Sequence, residues 1–128
     1  MEDFNYTWYF KDNSNIANRF TVHEHCGDTT ITLYIMGFNG ISFARLYWYK
    51  DDNTSIYLAD LSVCNSCTGH GLGKELQEIR EDIGKKLGAK YSYLLVDKGS
   101  WMQDWYKRRG YKDIHKEEDG RVWMKKKL

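Results

Sequence analysis

Apolar and polar residues alternate along the first half of the chain, and the alternation divides it into extended segments. Residues 19–25 and 29–36 alternate with period two, joined by Cys26-Gly27-Asp28 as a short hairpin connection. Gly37-Phe38-Asn39-Gly40 punctuates the pattern. Residues 41–50 then form a third strand rich in aromatic and β-branched side chains, and residues 55–63 a fourth after the turn Asp51-Asp52-Asn53-Thr54. Four strands in a row predict an antiparallel meander. Ahead of them, residues 4–11 are aromatic enough for an edge strand or an arm, and residues 12–18 carry the Asx and Ser content of a turn or a single helical turn.

The period changes after residue 64. Leu72, Leu76, Ile79, Ile83 and Leu87 are spaced for one face of a helix over residues 71–87, with Gly88 where a terminating glycine belongs. Residues 90–97 have a fully apolar centre and predict a fifth strand covered on both faces. Residues 99–109 place Met102, Trp105 and Tyr106 on one side of a short helix that Gly110 stops. Residues 111–117 and 121–126 fit a terminal hairpin around Glu118-Asp119-Gly120. Strands, long helix, strand, short helix and strands define a mixed α+β fold. No repeat or linker interrupts the series, and 128 residues fit a single domain.

Composition narrows the class. An apolar fraction of 41% with 16% aromatics supplies a core and excludes wholesale disorder. Nineteen Lys and Arg against 18 Asp and Glu give a net charge of +1, which argues against a protein built to neutralise phosphates; no nucleic-acid partner is expected. No apolar run approaches a membrane span, and the first residues lack a signal peptide's basic and apolar regions. Three cysteines, an odd number, fit a secreted disulfide framework poorly. A soluble, cytoplasmic domain is expected.

The chemistry gathers at Thr68-Gly69-His70-Gly71-Leu72-Gly73-Lys74, between the fourth strand and the long helix. Glycines there let backbone approach a ligand, and free N–H groups with the helix dipole favour an anion such as pyrophosphate. Thr68 stands where a P-loop needs its first glycine and Glu75 follows the lysine, so triphosphate hydrolysis is disfavoured. The G-x-G-x-G spacing does not match a dinucleotide fingerprint either.

The segment LADLSV followed by GHGLGKELQEI resembles the acyl-CoA motif of the GNAT superfamily of N-acetyltransferases, a hydrophobic strand followed by R/Q-x-x-G-x-G/A. Asp104-Trp105-Tyr106-Lys107-Arg108-Arg109-Gly110-Tyr111 resembles that family's second signature, in the expected order, and the likeness spans residues 41–126. Within the family, the spermidine/spermine and thialysine acetyltransferases are the most similar. The resemblance implies a mostly antiparallel sheet with a long helix after the fourth strand and a short one after the fifth. It further implies acetyl-CoA as cosubstrate and a primary amine as acceptor, either a small polyamine or diamine or a protein. It assigns the pantetheine arm to the backbone of Leu61, Ser62 and Val63, and the pyrophosphate to the cradle from Thr68 through Gly69, His70, Gly71, Leu72 and Gly73 to Lys74. Tyr106 matches the tyrosine that donates to the coenzyme sulfur. Asp60 matches an acid that accepts the amine proton, directly or through water, with an ordinary paired or solvated strand carboxylate as the alternative. Glu24 is a second candidate base.

Three positions depart from the family pattern: Ala59 where a Glu often stands, Thr68 in place of Arg or Gln, and Gly99 in place of Asn. They keep open a non-catalytic acyl-CoA-binding or protein-interaction module. Cys64-Asn65-Ser66-Cys67 with His70 has the spacing of a zinc half-site but lacks a second pair, so reduced thiols in a loop are favoured and no metal is expected. The two helices that in this family separate the first and second strands have no counterpart, since Cys26-Gly27-Asp28 is too short to hold them. The acceptor side is therefore expected to be open, or completed by a second subunit in a homodimer, by the aromatic N-terminal arm, or by a macromolecular substrate.

Overall fold

The period-two segments pair in chain order. The computed structural model describes residues 20–37, 42–52, 54–63 and 71–128. Strands β1 (Phe20–Cys26), β2 (Thr30–Gly37), β3 (Ser42–Tyr49) and β4 (Ser55–Val63) form the antiparallel meander. Helix α1 (Leu72–Leu87) then crosses over, so that β5 (Tyr91–Asp97) lies parallel to β4. Helix α2 (Trp101–Lys107) leads to the hairpin of β6 (Lys112–Lys116) and β7 (Arg121–Lys127), and β7 inserts beside β5. The sheet order is β1-β2-β3-β4-β5-β7-β6. The α+β class and the element order match the sequence reading, with boundaries moved by one or two residues. The aromatic segment 4–11, the turn at 12–18 and the loop 64–70 lie outside the described residues.

One sheet face carries the core. Leu33 and Ile35 of β2, Ala44, Leu46 and Trp48 of β3, Ile56 of β4, Leu94 and Val96 of β5 and Met124 of β7 are buried with Leu76, Ile79 and Ile83 of α1. Gly88, at φ 88, ends α1 as expected, in a left-handed conformation that glycine adopts without a Cβ penalty. β5 departs from expectation: Ser92, Leu94 and Val96 are buried but Tyr91, Tyr93 and Leu95 only half so. Its outer face belongs to an aromatic row in sheet register, in which Tyr47, Tyr57 and Tyr93 stack across β3, β4 and β5 with ring centroids 5.3 and 5.4 Å apart. Half-exposed aromatics cover that face, so the apolar centre of β5 reflects one packed face and one aromatic face.

Helix α1 also buries polar groups beside its apolar stripe: Gln77, Arg80 and Glu81 are all buried. Arg80 lies four residues after Leu76 and three before Ile83, and Gln77 lies three residues before Arg80 and four before Glu81, so the three polar side chains neighbour one another on the buried side of the helix.

Truncating Ile79, which is 1% exposed, to alanine is expected to lower the unfolding free energy by about 2–5 kcal/mol in urea denaturation. Ile114→Ala, at a side chain 52% exposed on β6, is expected to stay within about 0.5 kcal/mol.

Candidate active site

The sheet is divided in its middle. Parallel pairing of β4 with β5 runs from Ser55↔Tyr91 to Leu58↔Leu94 and goes no further, although both strands continue. β4 stays paired with β3 out to Ser42↔Val63, and β5 stays paired with β7 out to Asp97↔Arg121. Beyond Leu58 and Leu94, the facing edges of β4 and β5 therefore keep backbone N–H and C=O groups that no ladder satisfies, which suits an extended ligand.

The division begins at a bulge. Ala44 pairs with Leu61 and Arg45 with Ala59, leaving Asp60 as the extra residue on β4, and Asp60 has φ 43. An inserted residue bends its strand and sharpens its twist. Aspartate is one of the few non-glycine residues that visit this conformation.

Carbonyls freed at the bulge toward the buried face of the sheet need donors, and Arg80 supplies them. Its guanidinium is fully buried, and Nη1 donates toward the carbonyls of Arg45 and Ala59 at 3.1 Å each and of Asp60 at 3.3 Å. Nη2 donates to Gln77 Oε1 and, at 3.0 Å, to the Tyr106 hydroxyl. One side chain thus joins the bulge on β4 to the tyrosine on α2.

Tyr106 is 3% exposed, with its ring edge-on to Trp105 and Tyr111 at 4.9 and 5.4 Å. The helix that carries it is set by Ser100, whose Oγ accepts from the Gln103 N–H at 3.3 Å, and by the Gly99 N–H donating to Gln103 Oε1 at 2.7 Å. Gly99, in the place of the family's asparagine, so anchors the start of α2 through its backbone. The Asp60 carboxylate is half-exposed and lies 3.1 Å from Arg45 Nε, an ion pair in which Nε makes no aligned hydrogen bond. Asp60 thus has an ion-pair partner on the neighbouring strand β3. Glu24 is not brought to this place: β1 lies three strands from β4, about 14 Å at the usual spacing.

Of the glycine-rich cradle, Gly71 to Lys74 are described; Thr68, Gly69 and His70 lie outside the described residues, as do Cys64 and Cys67. Gly71, at φ 78, is the N-cap of α1 and no side chain caps the helix. The first bond of the helix is the Glu75 N–H to the Gly71 carbonyl at 3.0 Å, so the first-turn N–H groups of Leu72, Gly73 and Lys74 precede the intrahelical ladder, at the positive end of the dipole. A Cβ on Gly73 would stand 3.8 Å from the Trp105 ring and 3.9 Å from Val63, which puts the helix start, the end of β4 and α2 side by side. Arg109 stacks on the Trp105 ring with 3.4 Å between guanidinium carbon and centroid, and burial together with Arg108 pulls its pKa below the ordinary arginine value. An open groove of about 440 Å³ is lined by Trp101, Asp104, Lys107 and Arg108, and its lining includes none of Tyr106, Asp60 and Arg80. Among the described residues no cluster of His, Cys, Asp or Glu could hold a metal ion, and no helix is long and apolar enough to cross a membrane.

Sequence reasoning missed Arg80, Gln77 and Glu81. Position 80 is four residues after Leu76 and three before Ile83, inside the apolar stripe, and a charged residue in that place is the signal that could have found it.

Solved structures that superpose on this fold include acetyltransferases. A PaiA N-acetyltransferase from Thermoplasma acidophilum, in complex with coenzyme A, is 24% identical and superposes with a TM-score of 0.64, covering 78% of this chain and 62% of its own. A GNAT family acetyltransferase from Elizabethkingia anophelis with acetyl-CoA bound is 14% identical, with a TM-score of 0.63 over 87% of this chain and 99% of its own. An acetyltransferase from Bacillus cereus is 19% identical, with a TM-score of 0.62 over 100% of this chain and 96% of its own. No curated protein matches. The model of the acetyltransferase (GNAT) family matches residues 2–111, and the chain belongs to that family.

The bulge separates backbone from side chain at position 60. Asp60→Asn is expected to keep stability within about 1 kcal/mol, the most a half-exposed ion pair contributes. Asp60→Val is expected to cost about 1–2 kcal/mol or more, because a β-branched residue is strained at φ 43. Thermal and urea melts of the two variants check this.

Proposed function

We propose that this chain, as a single domain over residues 1–128, transfers an acetyl group from acetyl-CoA to a primary amine by direct attack on the thioester. The observation that carries the reading is the parting of β4 from β5 at the Asp60 bulge, with the uncapped start of α1 on one side and Tyr106 on the other. These residues fit the coenzyme: the unpaired edge at Leu61, Ser62 and Val63 suits the amides of a pantetheine arm, and the first-turn N–H groups of Leu72, Gly73 and Lys74 suit a pyrophosphate. The relatives solved with coenzyme A or acetyl-CoA bound support the same assignment.

The coenzyme supplies an activated acyl thioester. The chain's share is to hold it extended along the β4 edge, to offer backbone N–H groups to developing negative charge, and to return a proton to the leaving thiolate. Tyr106 is assigned the last task, since its hydroxyl takes a hydrogen bond from Arg80 and keeps its own proton to donate. Asp60 is assigned the amine proton, through water or after leaving Arg45, its ion-pair partner, which lies on the same sheet face. The likeness of the β4 and α2 segments to spermidine/spermine and thialysine acetyltransferases puts polyamines and diamines first among acceptors, with protein amines next.

The Arg45–Asp60 ion pair favours a second reading, a non-catalytic acyl-CoA-binding module, because it engages the carboxylate assigned to the amine proton. Thiol release from acetyl-CoA against polyamines, amino acids, aminoglycosides and basic peptides separates the two. Release with at least one amine is expected; thermal stabilisation by acetyl-CoA without release for any of them would overturn catalysis in favour of the module. In the active case Tyr106→Phe is expected to lower turnover ten-fold or more while coenzyme A affinity in calorimetry persists. Unchanged turnover would remove Tyr106 from the mechanism.

A further inference from the structure

We infer that Arg80 is a positioning residue for acetyl transfer, holding the β4 bulge in the shape that parts the strands and, with the same guanidinium, setting the direction of the Tyr106 hydroxyl. The half that concerns Tyr106 rests on the acetyl-transfer reading above; the half that concerns the bulge does not.

Packing alone does not call for a charge here. Leu76, Ile79 and Ile83 fill the adjoining positions of the same helix face, and an apolar side chain at 80 would continue their stripe. A buried charge is costly in a low-dielectric interior unless its donors are used, so the information lies in where those donors go. Nη1 takes the carbonyls on both sides of the bulge: Arg45 on β3 at 3.1 Å, and Ala59 and Asp60 on β4 at 3.1 and 3.3 Å. These carbonyls bracket the register shift between Ala44 and Arg45. Pulling them toward α1 fixes the path of β4 just beyond Leu58, its last residue paired with β5.

The other nitrogen acts on direction. A phenol has one proton and accepts through its lone pairs, whereas a guanidinium only donates. With Arg80 Nη2 3.0 Å away on the α1 side, the Tyr106 oxygen is the acceptor in that contact and its proton must point elsewhere. Among the described residues the hydroxyl has no acceptor of its own. Gln77 Oε1 holds Nη2 in place, and the Gln77 amide is anchored in turn by Glu81 at 2.7 Å and the Tyr111 hydroxyl at 3.0 Å. The planar fork of arginine spans both sets of partners at once; the single ammonium of lysine reaches one set or the other.

The test is a double-mutant cycle. Arg80→Lys and Arg80→Met are made alone and with Tyr106→Phe, with melts to confirm folding and steady-state kinetics on acetyl-CoA and the amine that gives thiol release. Each Arg80 variant is expected to lower kcat ten-fold or more with the amine KM changed less than three-fold. In the Tyr106→Phe background the same substitution is expected to cost at least three-fold less than in the unsubstituted protein, because the hydroxyl it orients is gone and only its hold on the bulge remains. A folded Arg80 variant with unchanged kcat, or losses that multiply across the two positions, overturns the orienting role, as does unchanged turnover in Tyr106→Phe itself. The bulge is read without turnover, by amide hydrogen exchange over residues 59–62. Exchange at least ten-fold faster in Arg80→Met is expected, with core amides of β2 and β7 unchanged; equal exchange overturns the holding role. Should Arg80→Met fail to fold, Arg80→Leu, which also removes every donor and continues the apolar stripe, carries the exchange measurement with the same criteria.

Discussion

A fully buried guanidinium lying against a strand bulge is the constraint on which the rest of this structure depends. A bulge frees backbone carbonyls from the sheet ladder, and carbonyls left unmet in an interior cost about 1–3 kcal/mol each. A buried arginine carries a larger desolvation penalty unless it is surrounded by acceptors. At Arg80 each need answers the other, since the carbonyls of Arg45, Ala59 and Asp60 receive the charge and the charge satisfies them. Remove either and the other is unsupported.

The division of the sheet follows from that arrangement. β4 continues with β3, and β5 continues with β7, so each half stays hydrogen-bonded while the edges between them are freed. α1 lies across the seam, and its polar groups fasten it to the second half. Glu81 bonds Lys126 of β7 at 2.6 Å, and Gln77 donates to Tyr111, which donates to Ser92 of β5 at 2.8 Å. Burial, with the Glu81 charge second, pushes the Tyr111 hydroxyl well above the ordinary tyrosine value, so it remains a neutral donor throughout the physiological range. The opening can therefore be kept without loosening the core, because the polar network closes behind it.

The elements were legible because they depend on local periodicity. The spacing of Leu72, Leu76, Ile79, Ile83 and Leu87 marked α1, Gly88 marked its end, and period-two alternation marked the meander. The glycine-rich start of α1 and Tyr106 were legible as motifs, and their convergence appears in the closeness of Gly73 to Trp105 and Val63. Asp60 was legible as an acid on the fourth strand but not as a bulge residue, because a register shift depends on the pairing of two strands and leaves no mark on either alone. Its pairing with Arg45 was hidden for the same reason, since the two residues are distant in the chain and meet only across the ladder. β5 read as covered on both faces because an apolar run does not tell a packed face from an aromatic one.

Sequence by itself determined the α+β class, the order of elements and the positions of the glycine-rich segment and the tyrosine. These rest on the rules of nearest neighbours: side-chain period, glycine conformation and helix termination. Tertiary structure decided where the sheet parts, which carboxylate is ion-paired, and that a charged residue inside an apolar stripe links β4 to α2. Each of those is an outcome of long-range contact, in which the desolvation of a charge is offset only by acceptors that three separate elements bring to the same point.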